Sequence, residues 1–288
     1  MMTRVCFPVS SVQKVLGIWL GTALWLCGCG SKSVRGIPYT DDAGPDAAVD
    51  GGRLEPEDRD GDGVFDEIDP EPDRPNTPDV EDDFSACNAD WISAGPGEWS
   101  CSEDGWVEQT RPCEPGASPT VYEPIDTTAS DLLVRARARF DPHDAACDNN
   151  GFGVMARRAG GRFLACLFVP GDDCGGEDCT GREGEFSFRV QFLRFDGATL
   201  ETARPTLLGE AEGGYAMPAG SWLGPTIVAD SNDLLCVVYG DFFDGVYHTY
   251  TQLARIPALD DAPQSGSAGL VTWGASAALD DFELYSLE

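Results

Sequence analysis

The sequence predicts an all-β protein, a two-sheet antiparallel sandwich preceded by a disordered acidic tether. Short segments rich in β-branched and aromatic residues recur between residues 82 and 288, and clusters of Gly, Pro, Asn and Asp separate them. This is the pattern of strands joined by turns. No stretch of that range shows the 3.6-residue apolar period of a helix. Because strands with one apolar face bury it against a second sheet, we expect a sandwich.

The clearest strand signal is DLLVRARARF at 131–140, where arginines and apolar residues alternate. That period of two predicts a half-buried strand with one polar face. EWSCSEDGWVEQT is typical of a hairpin that turns at SEDG, and GFGVMARRAGGRFLACLFV of two strands joined at 159–161. The turn residues at 196–197 and 231–233 fit further hairpin connections.

The N-terminal segment predicts export. A short positive region with Arg4 and Lys14 is followed by the apolar run VLGIWLGTALWL, Val15 to Leu26. About 20 apolar residues are needed to span a bilayer, so this run is too short for a stable membrane helix. It has the proportions of the apolar core of a signal peptide.

The sequence LCGC follows that run directly and ends at Cys29. It resembles a bacterial lipoprotein signal, and the resemblance implies a signal peptide at 1–28, cleavage before Cys29 and lipidation of Cys29. An ordinary secretory signal is the alternative, and Cys27 is a rival lipidation site that follows a bulky residue. Because Gly30 rather than Asp follows Cys29, we expect a cell-envelope protein of the outer membrane.

Residues 29–57 are rich in Gly, Pro, Ala and Asp without an apolar period, which predicts a flexible acidic tether. The whole chain has 50 acidic and 19 basic residues, a formal charge of −31. So negative a chain argues against nucleic acid as a partner and favours solubility and cation binding.

An acidic loop, DRDGDGVFDEID, occupies residues 58–69. Its spacing D-x-D-x-D-G matches calcium loops, in which carboxylates and one backbone carbonyl surround the ion. The predicted Ca²⁺ ligands are the carboxylates and the carbonyl of Asp58, Asp60, Asp62, Val64, Asp66 and Asp69. Neither flank continues as a helix, because prolines stand on both sides. A charged linker that binds no ion is the alternative.

This loop resembles a thrombospondin type 3 repeat, whose consensus D-x-D-x-D-G-x-x-D-x-x-D it meets. The downstream PDRPNTPD is similar to the connector of that family, so residues 58–81 are interpreted as a calcium loop with a Pro-rich connector. Two departures matter: Asp73 stands near the place of the usual cysteine, and the chain has one copy where the family has tandem repeats. A single loop is expected to bind calcium weakly, with a Kd of about 10⁻⁴–10⁻³ M.

Eight cysteines follow Cys29, and an even number in an exported chain predicts disulfides. Cys174 and Cys179 end the short loop CGGEDC, so we expect them to pair; a metal site there is less favoured because no histidine lies near. Cys166 and Cys236 lie within predicted strands. They either bridge neighbouring strands or are two small buried apolar residues.

Four segments resemble the concanavalin A-like jelly-roll domains of the laminin-G and lectin/glucanase group: DDFSACNADW, GEWSCSEDGWVEQT, GFGVMARRAGGRFLACLF and GSAGLVTWGASAALDDFELYSL. The resemblance implies a jelly-roll sandwich over residues 82–288. In that fold the first and last strands pair, so residues 82–84 should neighbour residues 280–282.

The predicted function is non-catalytic binding of a glycan or an envelope protein. EIDPE at 67–71 is superficially similar to the catalytic strand of one glycoside hydrolase family, but Pro70 and the calcium loop make that role improbable. Two histidines, His143 and His248, are too few for a histidine-based triad or zinc site.

The alternatives to binding are a glycoside hydrolase with a diverged site and a purely structural surface protein. The ligand-binding residues are left open among nine aromatic residues: Trp91, Trp99, Trp106, Trp222, Trp273, Tyr239, Phe242, Phe243 and Tyr247.

Overall fold

A computed structural model describes twelve stretches of the chain, and everything below concerns them. They are 57–61, 66, 69, 72–86, 89–109, 118–139, 151–170, 188–213, 222–230, 234–241, 247–252 and 262–287. All of them belong to one compact unit, Asp41–Glu288. The predicted signal peptide and nearly all of the predicted tether lie outside these residues. No helix in the described stretches combines the length and apolarity that a membrane crossing requires.

The described residues form fifteen strands in two antiparallel sheets, which confirms the predicted all-β sandwich. The first sheet contains β1 (Val80–Asp82), β3 (Trp99–Cys101), β4 (Val107–Gln109), β6 (Leu132–Arg139), β11 (Trp222–Ala229), β12 (Leu234–Asp241), β13 (Tyr247–Gln252) and β15 (Ala277–Ser286). The second sheet contains β2 (Trp91–Ala94), β5 (Pro119–Pro124), β7 (Gly151–Ala159), β8 (Arg162–Pro170), β9 (Phe188–Asp196), β10 (Arg204–Gly213) and β14 (Ser267–Trp273).

The strand order is that of a jelly roll, because the chain passes repeatedly from one sheet to the other. The first sheet runs β13-β12-β11-β6-β15-β4-β3, and the second runs β10-β9-β8-β7-β14-β5-β2. The first strand, β1, pairs with the last, β15, so that Asp82 lies opposite Phe282. The pairing of first and last strands is therefore confirmed, and β1 begins at Val80, slightly before the predicted domain start.

The main apolar core lies between the sheets. Alternate residues of β6 enter it and are fully buried, as the arginine and apolar alternation predicted. Their counterparts from the second sheet are both aromatic and aliphatic. The core residues of β6 and of the facing strands β7, β8 and β9 include Leu132, Val134, Ala136, Ala138, Phe152, Val154, Phe168 and Phe192. Because β6 is central in the first sheet, its other face points away from this core.

A second apolar cluster covers the outer face of the second sheet. Phe163 of β8 stacks on Phe195 of β9, with ring centroids 4.6 Å apart. A short 3₁₀ helix, Leu200–Thr202, lies in the connection between β9 and β10 and buries Leu200 in this cluster. The sequence predicted a turn at 196–197. β9 and β10 do form a hairpin, but its loop extends to residue 203, because the apolar sheet face needs a cover.

A buried arginine ties the two sheets together at one end. Arg157 lies at a bulge near the end of β7, has φ 54°, and exposes only 4% of its surface. Its guanidinium donates to the carbonyl oxygens of Ser130 at 2.5 Å, Ala229 at 3.1 Å and Asp230 at 2.9 Å. These carbonyls flank β6 and end β11 of the first sheet, so one cation satisfies backbone acceptors that the core would otherwise leave unmet.

Candidate functional site

The outer face of β6 is the most unusual surface among the described residues. Its outward side chains are Arg135, Arg137 and Arg139, and aromatic residues from three neighbouring segments lean over them. The six side chains are here called the arginine face and are Trp106, Arg135, Arg137, Arg139, Trp222 and Tyr285.

The register of the first sheet brings distant residues into one row of this face. Arg139 of β6 lies opposite Trp222 of β11 on one side and Ala278 of β15 on the other. Ala278 in turn lies opposite Glu108 of β4. Four strands thus place an indole, a guanidinium, a methyl group and a carboxylate side by side. The small side chain of Ala278 leaves room above the sheet for the larger groups on either side.

Two tryptophans form an aromatic platform on the arginine face. The rings of Trp106 and Trp222 meet edge to face, with centroids 6.2 Å apart and planes at 68°. Arg137 Cζ lies 4.9 Å from the centroid of the Trp222 ring, and Arg139 Cζ lies 5.9 Å from that of Trp106. Both indoles are half-buried. Each cation–π contact at such an exposed site contributes about 0.5–1 kcal/mol, so the platform is held in place before any ligand arrives.

The indole N–H of Trp106 and two of the arginines have carboxylate partners. Trp106 Nε1 donates to Glu108 Oε1 at 2.6 Å. Arg135 pairs with Glu283 at 2.5 Å, and Arg137 pairs with Asp281 at 2.8 Å. These contacts orient the platform and engage three carboxylates, those of Glu108, Asp281 and Glu283.

A bulge in β15 makes the second of these ion pairs possible. The pairing of β15 with β6 shifts between Asp280 and Glu283, and Asp281 takes φ 45°. An extra residue in one strand turns a side chain out of the regular alternation, which brings Asp281 to Arg137. Burial raises the pKa of Asp280, although the backbone N–H of Asp281 donates to its Oδ1 at 2.9 Å.

The other tryptophans among the nine candidate aromatics pack against apolar clusters. Trp91 is 7% exposed, Trp99 stacks on Tyr122 at 5.4 Å, and Trp273 meets Phe195 edge to face at 5.7 Å. The remaining four are Tyr239 and Tyr247, whose side chains are outside the described parts, and Phe242 and Phe243, which lie outside the described residues. Trp106 and Trp222 are the described tryptophans that lie over the arginines of β6.

The predicted calcium loop is organised in part by its own arginine. The backbone N–H of Arg59 donates to Asp66 Oδ1 at 3.0 Å, and its Nε donates to Asp66 Oδ2 at 2.5 Å. Arg59 Nη1 also pairs with Asp73 at 2.9 Å. The backbone and guanidinium N–H groups of Arg59 hold the pKa of Asp66 below its ordinary value. One predicted calcium ligand therefore already has a cation beside it.

The other described members of the loop fit a turn around an ion only in part. Asp58 Oδ1 accepts the backbone N–H of Gly61 at 2.8 Å, which closes a tight turn at the start of the loop. One carboxylate oxygen of Asp60 and one of Asp69 are buried from solvent. Asn76 Nδ2 donates to Asp69 Oδ1 at 2.9 Å. Within the described stretches no three acidic, histidine or cysteine side chains are grouped to hold a metal. Two predicted ligands, Asp62 and Val64, lie outside those stretches.

A disulfide joins the sheets through the main core. Cys166 of β8 bonds to Cys236 of β12, with an S–S distance of 2.07 Å and a Cα–Cα distance of 5.2 Å. Of the two predicted outcomes, a bond rather than two free thiols is found. The expectation of neighbouring strands is wrong, because both residues point inward from opposite sheets. Cys101 is also disulfide-bonded. Cys29, Cys174 and Cys179 lie outside the described residues.

Comparison with known proteins gives similarities of fold at low identity. No protein-family model matches the chain, and no curated protein sequence matches it. A carbohydrate-binding module, CBM66 of Bacillus subtilis, is 15% identical with a TM-score of 0.42, covering 68% of this chain and 96% of that one. A Lotus tetragonolobus seed lectin is 12% identical with a TM-score of 0.40, covering 71% and 96%. A Bacteroides ovatus GH16 protein in complex with a G4G4G3G product is 10% identical with a TM-score of 0.41, covering 71% and 99%.

Sequence reasoning found the arginines of β6 but not the platform beside them. Their alternation placed Arg135, Arg137 and Arg139 on one face of a strand. Trp106 and Trp222 were two of nine candidate aromatics, and no local pattern joined them, because they come from segments that are distant in the chain. The pairing registers of β11, β6, β15 and β4 bring them together.

Proposed function

We propose that this protein is an exported, lipid-anchored protein of the bacterial cell envelope whose β-sandwich binds a glycan on the arginine face. The observation that carries the proposal is the Trp106–Trp222 platform, two half-buried indoles held 6.2 Å apart on a sheet face. Indole rings offer flat apolar surfaces to sugar rings, and the guanidinium groups beside them donate hydrogen bonds in fixed directions to sugar oxygens.

Binding without catalysis is favoured over hydrolysis by the contacts of the carboxylates. Glycoside hydrolysis needs two carboxyl groups that flank one bond, one protonated and one ionised. On the arginine face Glu283 is held by Arg135 and by the hydroxyl of Tyr285, which donates to it at 2.5 Å. Asp281 is held by Arg137. Carboxylates engaged in this way position the face rather than attack a substrate.

A binding screen of the mature chain against a glycan panel tests the glycan proposal. We expect Trp222→Ala to weaken binding to any glycan that the chain retains by at least tenfold, because a buried aromatic contact is worth more than 1.4 kcal/mol when it anchors an interface. Leu207→Ala, which removes an apolar side chain that is 52% exposed on β10 of the other sheet, serves as the control. Equal binding by the Trp222 variant would place the ligand elsewhere. Release of reducing ends from a bound glycan would support the hydrolase instead.

Lipid anchoring is part of the same proposal and rests on the LCGC sequence that ends at Cys29. Acylation together with a diacylglycerol group supplies several chains at one point, which is enough for stable anchoring. We expect the full chain to fractionate with membranes, and Cys29→Ser to release it. Mass spectrometry of the mature N-terminus checks the modification directly, and an unmodified residue other than Cys29 at that terminus would refute it.

Calcium binding by residues 58–69 is the third part of the proposal. The turn at Asp58 and the shielded oxygens of Asp60 and Asp69 support it. We expect Asp60→Ala/Asp62→Ala to abolish calcium uptake in calorimetry while thermal unfolding of the sandwich is unchanged. We expect Arg59→Gln to strengthen uptake, because it frees the Asp66 carboxylate from a competing cation. Undiminished uptake by the double variant would refute the assignment of the site.

A further inference from the structure

The three outward arginines of β6 differ in their surroundings. Arg135 has Glu283 at 2.5 Å and Arg137 has Asp281 at 2.8 Å, so each of these charges is balanced within the protein. Among the described residues, the Arg139 guanidinium has the Trp106 ring as a cation–π partner and no carboxylate within ion-pair distance. The strand therefore presents two ion-paired guanidinium groups and a third that has no ion pair within the described part of the protein.

Arg139, the arginine without an ion pair among the described residues, lies next to the two tryptophans that are proposed to bind the glycan. Its backbone lies opposite Trp222 on β11 and its guanidinium lies 5.9 Å from the ring centroid of Trp106, so it stands beside the platform. Glu108, the nearest carboxylate along the row, is separated from it by the Ala278 position and accepts the Trp106 indole N–H at 2.6 Å. A ligand that stacks on the platform would bring its substituents to the Arg139 guanidinium.

We infer that the glycan bound on the arginine face carries a carboxylate, as uronic acids do, and that Arg139 binds it. This inference rests on the proposed glycan-binding function. A guanidinium group matches a carboxylate with two parallel N–H···O bonds, a geometry that neither a neutral hydroxyl nor a lysine reproduces. A negatively charged substituent would supply the ion-pair partner that Arg139 lacks among the described residues beside the indoles.

The charge of the whole chain does not oppose this assignment at physiological ionic strength. The formal charge of −31 repels polyanions at long range. The Debye length is about 8 Å at 0.15 M salt, so a uronate at the platform responds mainly to groups of the arginine face. The carboxylates of that face are Glu108, Asp280, Asp281 and Glu283. Asp281 and Glu283 are paired with arginine, and burial disfavours the charge of Asp280. Binding of an acidic glycan should weaken at low salt, where the field of the whole chain extends further.

Matched pairs of polysaccharides test the inference. The probes are galacturonate, glucuronate and mannuronate/guluronate polymers, each compared with its carboxyl-reduced counterpart, together with neutral glucans and xylans. We expect the mature chain to bind at least one acidic polymer about ten- to a hundredfold more tightly than its reduced form, the range of a hydrogen-bonded charge pair. Arg139→Gln should bring that ratio close to one, and Arg139→Lys should restore only part of it.

Two controls separate this inference from the proposed function. Arg162→Gln, which alters an arginine 45% exposed on β8 of the other sheet, should leave the ratio unchanged. Thermal unfolding checks that each variant is folded. Binding of neutral polymers through Trp222 with no preference for any acidic one would overturn the inference and leave glycan binding intact. Failure to bind every polymer in the panel would overturn both. An affinity ratio that is unchanged in Arg139→Gln would show that another group binds the carboxylate and would overturn the assignment to Arg139.

Discussion

Removing the Cys166–Cys236 disulfide should lower the free energy of unfolding by several kcal/mol. The perturbation is Cys166→Ala/Cys236→Ala in the mature chain. The bond closes a loop with a sequence separation of 70 residues. In the chain-entropy model a loop of about 70 residues loses about 15 cal/mol/K of denatured-state entropy, or about 4.4 kcal/mol at 25 °C. The predicted Cys174–Cys179 bond would shorten that loop by only a few residues. The entropy depends on the logarithm of the loop length, so it would change little.

The native state adds a smaller contribution. Both cysteines are fully buried between the sheets, so alanine leaves a cavity where each sulfur packed. Cys166→Val/Cys236→Ala refills part of that volume and removes the same cross-link, and it separates packing from chain entropy. We expect the two variants to differ by about 1 kcal/mol or less, the scale of one methyl-sized cavity.

Urea denaturation of the three proteins, followed by tryptophan fluorescence, measures both effects. The loss should appear as a lower midpoint, and the m value should rise because the uncrosslinked denatured chain exposes more surface. A loss below about 1 kcal/mol in both double variants would refute the reasoning. It would mean that other constraints already hold the ends of this loop together in the denatured state.

Three further predictions concern other parts of the sandwich. Arg157→Met should lower the free energy of unfolding by about 3–5 kcal/mol, because it leaves Asp131 and the carbonyls of Ser130, Ala229 and Asp230 without their cation. Arg162→Met on the surface should lower it by less than about 1 kcal/mol. Chemical denaturation compares the two variants, and equal losses would contradict the role of Arg157 in joining the sheets. Gly153→Ala should lower the free energy of unfolding by about 1–3 kcal/mol in the same measurement, because its Cβ would clash with the carbonyl oxygen of Cys166 on β8. An unchanged free energy would argue against the close approach of these strands. Burial raises the pKa of Asp280, so the folded state keeps the carboxyl proton at a pH where the unfolded chain has lost it. The contribution of Asp280 to stability therefore falls as pH rises from about 3.9, an ordinary aspartate pKa, through the raised value. Asp280→Asn should therefore raise the Tm at pH 7 and give no gain near pH 3, and a gain that is equal at both values would show that the carboxyl charge is not responsible.

The class of fold could be predicted from the sequence because its signals are local. The alternation in β6 required only the period of a strand, and the hairpin of β3 and β4 was marked by SEDG. Both are present. The hairpin predicted at Asp196 is present, but the sequence did not indicate that its loop extends to residue 203, because the course of that loop depends on an apolar sheet face that it covers. That face consists of residues from several strands, so nothing within the connection itself reveals it.

The sequence by itself determined the strand periodicity, the outward arginines, the acidic loop spacing and the export signal that we predict. Each depends on residues within a few positions of one another. The tertiary structure alone decided that Cys166 meets Cys236 across the core and that Trp106 and Trp222 stand beside Arg139. Those contacts are set by strand order and register, which in a jelly roll join residues far apart in the chain. A one-residue change of register would turn each of these side chains to the other face of its sheet.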